Sequence, residues 1–418
     1  MKKILAMLLA LTMVFALCAC GKTAEPAQEA EPTFEFDNSS EPFDVSTLTE
    51  DELKTVKVGF IFLHDENSTY DKNFMNAAVG VCEELNVEYL LKANIPEGQE
   101  CYDSACELLD EGCNLIFADS FGHESFMIQA AKENPEVEFC HATGTQAHSA
   151  GLANFHNAFA TIYEGRYLAG VAAGLMLKEM IDNGEFTAAE AKVGYVGAYP
   201  YAEVKSGYTS WFLGLRSIVP EATMEVTFTN SWFDEALEKE GATKLIANGC
   251  KLISQHADSM GAPTACEAAG VPNVAYNGST VAACPNTFII CSRIDWSAFM
   301  KVMIGNVAKG TQFSKDWTGT LENGAVVVSD LNDKAAAAGT AEKLEEVKAG
   351  LIDGSIQVFD AKTFTVGGKA VDSYMADVND LGTFTGDTES IVDGAFAESA
   401  FRSAPTFDLD IDGITIIA

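Results

Sequence analysis

The sequence predicts an α/β protein with two doubly wound parallel-sheet lobes, and two observations support that class. Short apolar runs alternate with amphipathic stretches from residue 56 onward, which is the pattern of parallel strands connected by helices. The alternation then restarts after a long helical stretch, so the same architecture occurs twice in tandem. In addition, the roughly 365 residues from position 55 onward are too many for one typical core.

The predicted strands and helices follow each other in regular order. In the first half, strands are expected at 56–63, 87–93, 114–118 and 137–142, and helices at 71–85, 101–112 and 124–135. A long helix is expected over 161–181. In the second half, strands are expected at 191–198, 222–229, 250–255, 273–277 and 287–292, and helices at 202–218, 234–249, 262–270 and from Trp296. Short strands and one charged helix over 340–354 are expected after residue 317.

The two halves predict two lobes joined by a hinge. We assign residues 55–157 with 293–316 to the first lobe, and residues 158–292 with 317–400 to the second. The crossovers between them are expected near residues 157, 292 and 316. Residues 401–418 are expected to form a C-terminal tail.

The N-terminal segment predicts export. Lys2 and Lys3 precede an apolar run that is shorter than the roughly 18 residues of a spanning helix, so residues 1–19 are interpreted as a signal peptide. The run ends in a lipobox-like sequence at 17–20 with Cys20 as the predicted lipidation site; a plain secretory signal with a chance cysteine is the alternative. Residues 20–54 are predicted to be a disordered acidic tether, because positions 23–53 hold ten acidic residues and no basic one.

Composition narrows the possible partners. The formal net charge is −35, so nucleic acid is not expected as a partner, because phosphate binding needs a basic face. The eleven cysteines include no CxxC pair, so neither a zinc site nor a thioredoxin-like site is predicted. Several cysteines fall inside apolar runs, where they are expected to be small buried side chains.

Polar and aromatic residues follow nearly every predicted strand. In open parallel sheets, ligands bind outside the carboxyl ends of the strands, so these residues predict a ligand cleft between the lobes. Aromatic rings among the polar residues favour a flat ligand. The strand-end stretches are 64–67, 119–123, 141–144, 198–201, 230–232, 255–258 and 276–279.

Four stretches of the sequence resemble the basic membrane protein (BMP) family. They are residues 118–123 (ADSFGH), 141–144 (HATG), 163–174 (YEGRYLAGVAAG) and 230–259 (NSWFDEALEKEGATKLIANGCKLISQHADS). This resemblance covers roughly residues 55–310 and implies a substrate-binding lipoprotein of an ABC importer with the type I periplasmic-binding fold. It further implies a purine base, adenine-like, or a purine nucleoside as ligand. The implied partners are an ABC permease and its ATPase, with the chain lipid-anchored on the extracytoplasmic face of the cell membrane.

A purine ligand needs aromatic faces and a few fixed polar groups in an apolar pocket. Aromatic contacts are therefore expected from Tyr70, Phe121 and Trp232. Polar contacts are expected from Asp258, Asn277, Glu203 and Asp65.

Several of these residues also have structural explanations. Asp258 could cap the helix that follows it, and Trp232 could pack onto its own helix as a hydrophobic staple. Phe121 could cover the rim of the lobe and Tyr70 could be a loop-packing residue. His256 could point away from the cleft and be structural.

Other function classes are less well supported. The sequence contains no HExxH or HxH pattern, so no metal is predicted, and no cofactor is predicted either. It also contains no GxSxG elbow and no P-loop, so no catalytic residue is predicted; a nucleoside hydrolase would need clustered aspartates. Another small polar solute, such as a sugar, remains the alternative ligand. A repressor-like sensor on the same fold would need a DNA-binding module.

Overall fold

The protein is described by a computed structural model that covers residues 36–379 and 385–417. The predicted signal peptide, Cys20 and residues 20–35 of the predicted tether lie outside the described residues. The remainder of the predicted tether is structured, which corrects that prediction. A capping box closes the helix Glu50–Leu53, because Thr49 and Glu52 each accept the other's backbone N–H.

The first part of the chain alternates strand and helix. Its strands are β1 Asn38–Ser39, β2 Lys57–Ile61, β3 Glu88–Lys92, β4 Leu115–Ala118, β5 Glu138–Ala142 and β6 Phe155–Ala160. Its helices are α1 Glu50–Leu53, α2 Thr69–Leu85, α3 Gln99–Asp110 and α4 Glu124–Glu133. Strands β4 and β6 are buried along their whole length, as expected for parallel strands covered on both faces.

The second part begins with a long helix and repeats the pattern. Its helices are α5 Ile162–Asp182, α6 Ala202–Arg216, α7 Glu235–Ala247 and α8 Gly261–Ala269. Its strands are β7 Lys192–Gly197, β8 Thr223–Phe228, β9 Ile253–Gln255, β10 Asn273–Tyr276 and β11 Phe288–Ile294. The last part contains α9 Ser297–Lys309, β12 Asp316–Gly319, β13 Val326–Val328 and α10 Thr340–Ile352. It ends with β14 Met375–Ala376, β15 Thr388–Glu389, β16 Ile391–Val392, β17 Ala395–Phe396 and β18 Ile414–Ile416.

Two seven-stranded sheets organise the described residues. The first has the order β1-β12-β6-β5-β4-β2-β3 and is parallel throughout. The second has the order β13-β11-β10-β9-β7-β8-β18 and is parallel except for β13, which runs antiparallel to β11. The predicted class, an α/β fold with two doubly wound parallel sheets, is therefore confirmed.

The chain passes between the two sheets three times. It leaves the first sheet after residue 160, the second after residue 294 and the first again after residue 319. These points fall a few residues after the predicted crossovers at 157, 292 and 316. The C-terminal stretch 401–418, predicted to be a tail, contributes β18 to the second sheet, where Ile414 pairs with Met224.

Helices α5 and α6 pack unusually closely in the second lobe. A Cβ at Gly170 would lie 1.9 Å from the backbone oxygen of Trp211, and a Cβ at Gly214 would lie 2.2 Å from that of Tyr167. Only glycine permits this approach of two backbones. These contacts join the C-terminal half of α6 to α5. Nearer the start of α6, a Cβ at Gly207 would lie 3.6 Å from Nε of Arg166 in α5, and this proximity matters for the site.

Candidate functional site

A cavity lies between the carboxyl ends of the two parallel sheets. It encloses about 340 Å³ of empty space, part of which is open to solvent. None of its lining residues is a lysine or arginine. The lining residues are Leu63, His64, Tyr70, Asp71, Ser120, Phe121, Thr143, Glu203, Trp232, His256 and Asp258.

Both lobes contribute to this cavity. The loops after β2, β4 and β5 supply the residues of the first lobe, together with the first turn of α2. The loops after β8 and β9, with the first turn of α6, supply those of the second. Each of these loops leaves the carboxyl end of a strand, so the cavity occupies the position that the sequence rule predicts for a ligand.

Aromatic rings cover one side of the cavity. The rings of Tyr199 and Tyr201 stack with centroids 5.1 Å apart, and Trp232 meets Tyr199 edge-on at 5.0 Å. Phe121 of the first lobe approaches Tyr201 of the second at 5.6 Å. This arrangement offers ring faces and edges to a planar ligand.

Asp258 presents its carboxyl group to the cavity. The side chain is 4% exposed and makes no hydrogen bond with any residue that the structure describes. It does not cap α8, whose N-cap is Met260, so the capping alternative is wrong. Burial raises the pKa of Asp258 well above its usual range, and the nearby charges of Asp71, Glu238 and Glu203 add to that effect.

His256 joins Glu203 to the interior of the second lobe. Its Nδ1 lies 3.0 Å from a guanidinium nitrogen of Arg166, and its Nε2 lies 3.2 Å from Oε1 of Glu203. An arginine can only donate, so Nδ1 must accept and Nε2 must carry the hydrogen that is donated to Glu203. His256 is therefore neutral in this arrangement, and burial lowers its pKa in agreement.

Two further carboxyl groups of the first lobe belong to Asp71, which lines the cavity, and to the fully buried Asp119. Asp71 accepts the backbone N–H of His64 at 2.8 Å and the hydroxyl of Ser68 at 2.6 Å. Burial alone would raise the pKa of Asp71, but these hydrogen bonds outweigh it and the pKa is lowered. Oδ2 of Asp119 is buried without a partner among the described residues, and burial raises the pKa of Asp119 well above its usual range.

The loop after β5 is fixed in a strained conformation. Thr143 has a φ of 65°, which a β-branched residue rarely adopts. The buried carboxylate of Glu124 holds the following turn by accepting the backbone N–H groups of Thr145 and Gln146, each at 2.8 Å. Such strain persists only where the surroundings impose it, and it is typical of ligand sites.

The structure brings five of the seven predicted contact residues to the cavity. Those five are Tyr70, Phe121, Glu203, Trp232 and Asp258. Their contact with a ligand stays a prediction. The hydroxyl of Tyr70 already donates to the backbone oxygen of Asp119 at 2.7 Å, so this residue offers its ring.

The other two predicted residues lie elsewhere. Asn277, at φ 63°, lines a separate and wider groove with Lys72 and Arg293. Asp65 accepts the backbone and side-chain N–H groups of Asn67 in a local turn, at 3.0 and 2.8 Å. Both follow strands as predicted, but their local turns direct them away from the cavity.

Sequence reasoning missed several cavity residues. Leu63 and Asp71 were not predicted at the site, and His64, Ser120 and Thr143 were predicted only as members of strand-end stretches. Position after a strand was the available signal for all but Asp71. Asp71 lies in the first turn of α2 and carried no such signal. His256 was expected to turn into the lobe, yet it both lines the cavity and reaches Arg166.

Metal clusters and membrane-spanning helices are both absent from the part of the chain that the structure describes. Residues 36–379 and 385–417 contain no group of three or more His, Cys, Asp or Glu side chains arranged to hold a metal ion. No helix within those ranges is long and apolar enough to cross a bilayer.

A closed cleft between two parallel sheets, lined by strand-end loops of both, defines a solute-binding protein of the type I periplasmic-binding fold. The chain belongs to the Bmp family: residues 61–360 match the family model described as ABC transporter substrate-binding protein PnrA-like. Proteins of this family bind a small molecule outside the cytoplasm and deliver it to a permease and its ATPase. Their family and fold are those of binding proteins, not enzymes.

Individual relatives agree with this assignment. The chain is 32% identical to a purine-binding protein of Brucella abortus (strain 2308) over 273 residues, which are 64% of this chain and 73% of the relative. It is 31% identical to a putative ABC transporter glucose-binding protein of Haloferax volcanii over 217 residues, 52% of each chain. A solved ABC transporter solute-binding protein of Aeropyrum pernix K1 has a similar fold, with a TM-score of 0.61 at 17% identity, over 73% of this chain and 93% of that chain.

Proposed function

We propose that this protein captures a purine base, adenine-like, in the interlobe cavity for import by an ABC transporter. The observation that carries the proposal is a cavity lined by the aromatic side chains of Tyr70, Phe121 and Trp232 and by the carboxyl groups of Asp258 and Glu203. Rings suit a planar heterocycle, and carboxyl groups suit its N–H donors. The purine-binding relative in Brucella abortus adds support.

The state of Asp258 favours adenine among the purines. Burial raises the pKa of Asp258, and the protonated form that this favours offers one O–H donor and one acceptor side by side. Adenine presents the complementary pair, because N7 accepts and the N6 amino group donates, whereas N7 and O6 of guanine both accept. Glu203 is free to accept a second N–H through Oε2, since its described hydrogen bond uses Oε1.

The enclosure of the cavity favours a base over a nucleoside. Residues of both lobes line it, so an attached sugar would have to fit between them as well. The cavity is also bounded by the contact of Thr69 with Asp258. We therefore rank a purine nucleoside after a purine base as the proposed ligand.

A sugar is the second candidate, because the relative in Haloferax volcanii is described as glucose-binding. Sugar hydroxyls also accept hydrogen bonds from cationic donors, and neither an arginine nor a lysine lines this cavity. A thermal-shift screen with nucleobases, nucleosides and glucose separates the candidates. Adenine at about 100 times its dissociation constant should add roughly 2.7 kcal/mol to the free energy of unfolding. A shift from glucose alone would replace the proposal.

We also propose that the protein is lipid-anchored through Cys20 on the extracytoplasmic face of the membrane. The lipobox-like sequence at 17–20 supports this anchor. Cys20→Ser should release the protein into the soluble fraction or block its processing. An unchanged membrane fraction in which the variant is also processed like the wild type would reject the anchor and leave the ligand proposal untouched.

A further inference from the structure

Arg166 is a buried cation without a carboxylate partner among the described residues. Its side chain is 1% exposed, and its guanidinium carbon lies 3.3 Å from the centre of the Tyr276 ring. One terminal nitrogen donates to the backbone oxygen of Gln255 at 3.0 Å, and the other donates to Nδ1 of His256 at 3.0 Å. A buried charge is costly unless it is paired, so this arrangement needs a reason.

The imidazole of His256 connects that cation to the cavity. Because Arg166 only donates, Nδ1 of the ring must accept its hydrogen bond. Nε2 therefore carries the ring hydrogen and donates it to Glu203, 3.2 Å away. The negative charge of Glu203 is thereby balanced by Arg166 through a neutral ring. Gly207, one turn after Glu203, leaves the space for the ring, since a Cβ there would lie 2.9 Å from Nδ1.

We infer that Arg166 and His256 are positioning residues, which fix the Glu203 carboxylate in the orientation that receives an N–H group of the ligand. This inference rests on the proposed function for the identity of the ligand. Arg166, His256 and Glu203 form a hydrogen-bonded relay. These residues and the Tyr276 ring belong to α5, α6, β10 and the end of β9, in the second lobe. The relay therefore exists before the cleft closes, and the carboxylate is presented to the ligand in advance.

The relay makes a prediction about the ligand-free protein. Nitrogen NMR of histidine-labelled protein should show His256 as the neutral form with hydrogen on Nε2 across pH 5–8. The groups that face this ring are Arg166, Glu203, the Tyr195 hydroxyl at 3.5 Å and the Tyr276 ring at 4.8 Å. In Arg166→Met the ring keeps only the negative neighbour, so it should become protonated within that pH range. Hydrogen on Nδ1 in the wild type would overturn the relay.

A double-mutant cycle with adenine tests the effect on binding. Arg166→Met should weaken binding about tenfold where Glu203 is present, and by less than about twofold in a Glu203→Gln background, because coupled residues are non-additive. Arg166→Lys should recover part of the loss, since it keeps the charge but not the two-pronged donor. The control is Arg216→Met, which removes another ring-stacked arginine far from the cavity and should leave affinity unchanged.

The outcomes are distinguishable. Equal losses from Arg166→Met in both Glu203 backgrounds would reduce Arg166 to a packing role and overturn the inference. A wild type that shows the predicted His256 tautomer but binds no purine would reject the proposed function and keep the relay. If Arg166→Met does not fold, Arg166→Lys replaces it in the cycle, and equal losses from Arg166→Lys in both Glu203 backgrounds would overturn the inference.

Discussion

The backbone N–H of Thr69 donates to the backbone oxygen of Asp258 at 2.9 Å, and the Thr69 hydroxyl reaches the same oxygen at 3.1 Å. These bonds join the first turn of α2 in the first lobe to the loop after β9 in the second. His64 and Phe233, with ring centroids 5.4 Å apart, form another contact between the lobes. The described arrangement is therefore a closed cleft.

Closure about the three crossovers is the first prediction. A ligand that contacts both lobes favours the closed state, so small-angle scattering should give a smaller radius of gyration with saturating adenine than without it. Tyr201→Ala, which removes the ring that meets Phe121, should raise the ligand concentration needed for this change. An identical radius with and without bound adenine would count against the hinge.

The second prediction concerns the carboxyl group of Asp258. Asp258→Ala removes both its donor and its acceptor, and an unpaired buried polar group costs about 1–3 kcal/mol, so adenine binding should weaken roughly ten- to a hundredfold. Asp258→Asn supplies a donor and an acceptor in the same place and should stay within about threefold of the wild type, because asparagine reads the same edge of adenine in DNA. Calorimetric titration measures both variants.

The matched control for Asp258 is the helix cap Asp234. Its carboxylate accepts the backbone N–H of Leu237 at 2.9 Å at the start of α7. Asp234→Ala should lower the free energy of unfolding by about 1 kcal/mol and leave affinity unchanged. If Asp258→Asn binds adenine as poorly as Asp258→Ala, the protonated-carboxyl explanation is wrong.

Trp232 is the subject of the third prediction. It is half-buried at the cavity, whereas Trp211, Trp296 and Trp317 are fully buried. Adenine should therefore quench the emission of Trp232, and Trp232→Phe should abolish this signal while Trp211→Phe retains it. Trp232→Ala should weaken binding by about 1–3 kcal/mol, the contribution of one stacked base. A full quench in Trp232→Phe would place the ligand elsewhere.

The fourth prediction concerns pH. Asp316 is fully buried, its Oδ2 accepts the backbone N–H of Ser403 at 2.6 Å, and burial raises its pKa to about 7. A folded-state pKa above the unfolded value favours the folded state at low pH, and this contribution is lost as pH rises from about 4 to 7. Asp316→Asn removes the titration. The free energy of unfolding of the variant minus that of the wild type should therefore increase by roughly 1–3 kcal/mol from pH 5 to pH 7.5.

Urea unfolding at both pH values measures that difference. Buried His256 acts in the opposite direction, because its lowered pKa costs stability as pH falls below about 6.5. That effect is shared by the wild type and the variant and cancels in the comparison. A constant difference between the two proteins at pH 5 and 7.5 would show that Asp316 does not titrate in this range.

The sequence predicted the sheets and the edge at which the cavity lies, because alternation of apolar runs and helices is a local signal. It could not separate Asp258 from Asn277, which both follow strands. The difference lies in the backbone: Asn277 adopts a left-handed conformation and turns toward the other groove. Arg166 lies in the stretch 163–174, which resembles the BMP family. Its partner His256 is 90 residues away, and no local sequence pattern pairs the two residues.

Composition misled at the predicted tether. Acidic residues and prolines predicted disorder through residue 54, yet Thr49 and Glu52 carry a capping-box pattern that was readable. Phe43 packs directly against Gly305 of α9, because a Cβ at Gly305 would lie only 2.3 Å from the Phe43 ring. The absence of a side chain at Gly305 leaves the space that Phe43 occupies. A few aromatic residues can thus order a segment whose average composition is that of a linker.

Calorimetric titration of the ligand-free protein with adenine tests the central claim most directly. The account predicts one site per chain, a dissociation constant on the order of 1 µM or tighter, and a negative heat-capacity change from burial of the ring. Hypoxanthine, with an oxygen in place of the amino group, should bind at least about tenfold more weakly. Absence of saturable heat with every purine base and nucleoside, together with saturable heat from glucose, would contradict the account.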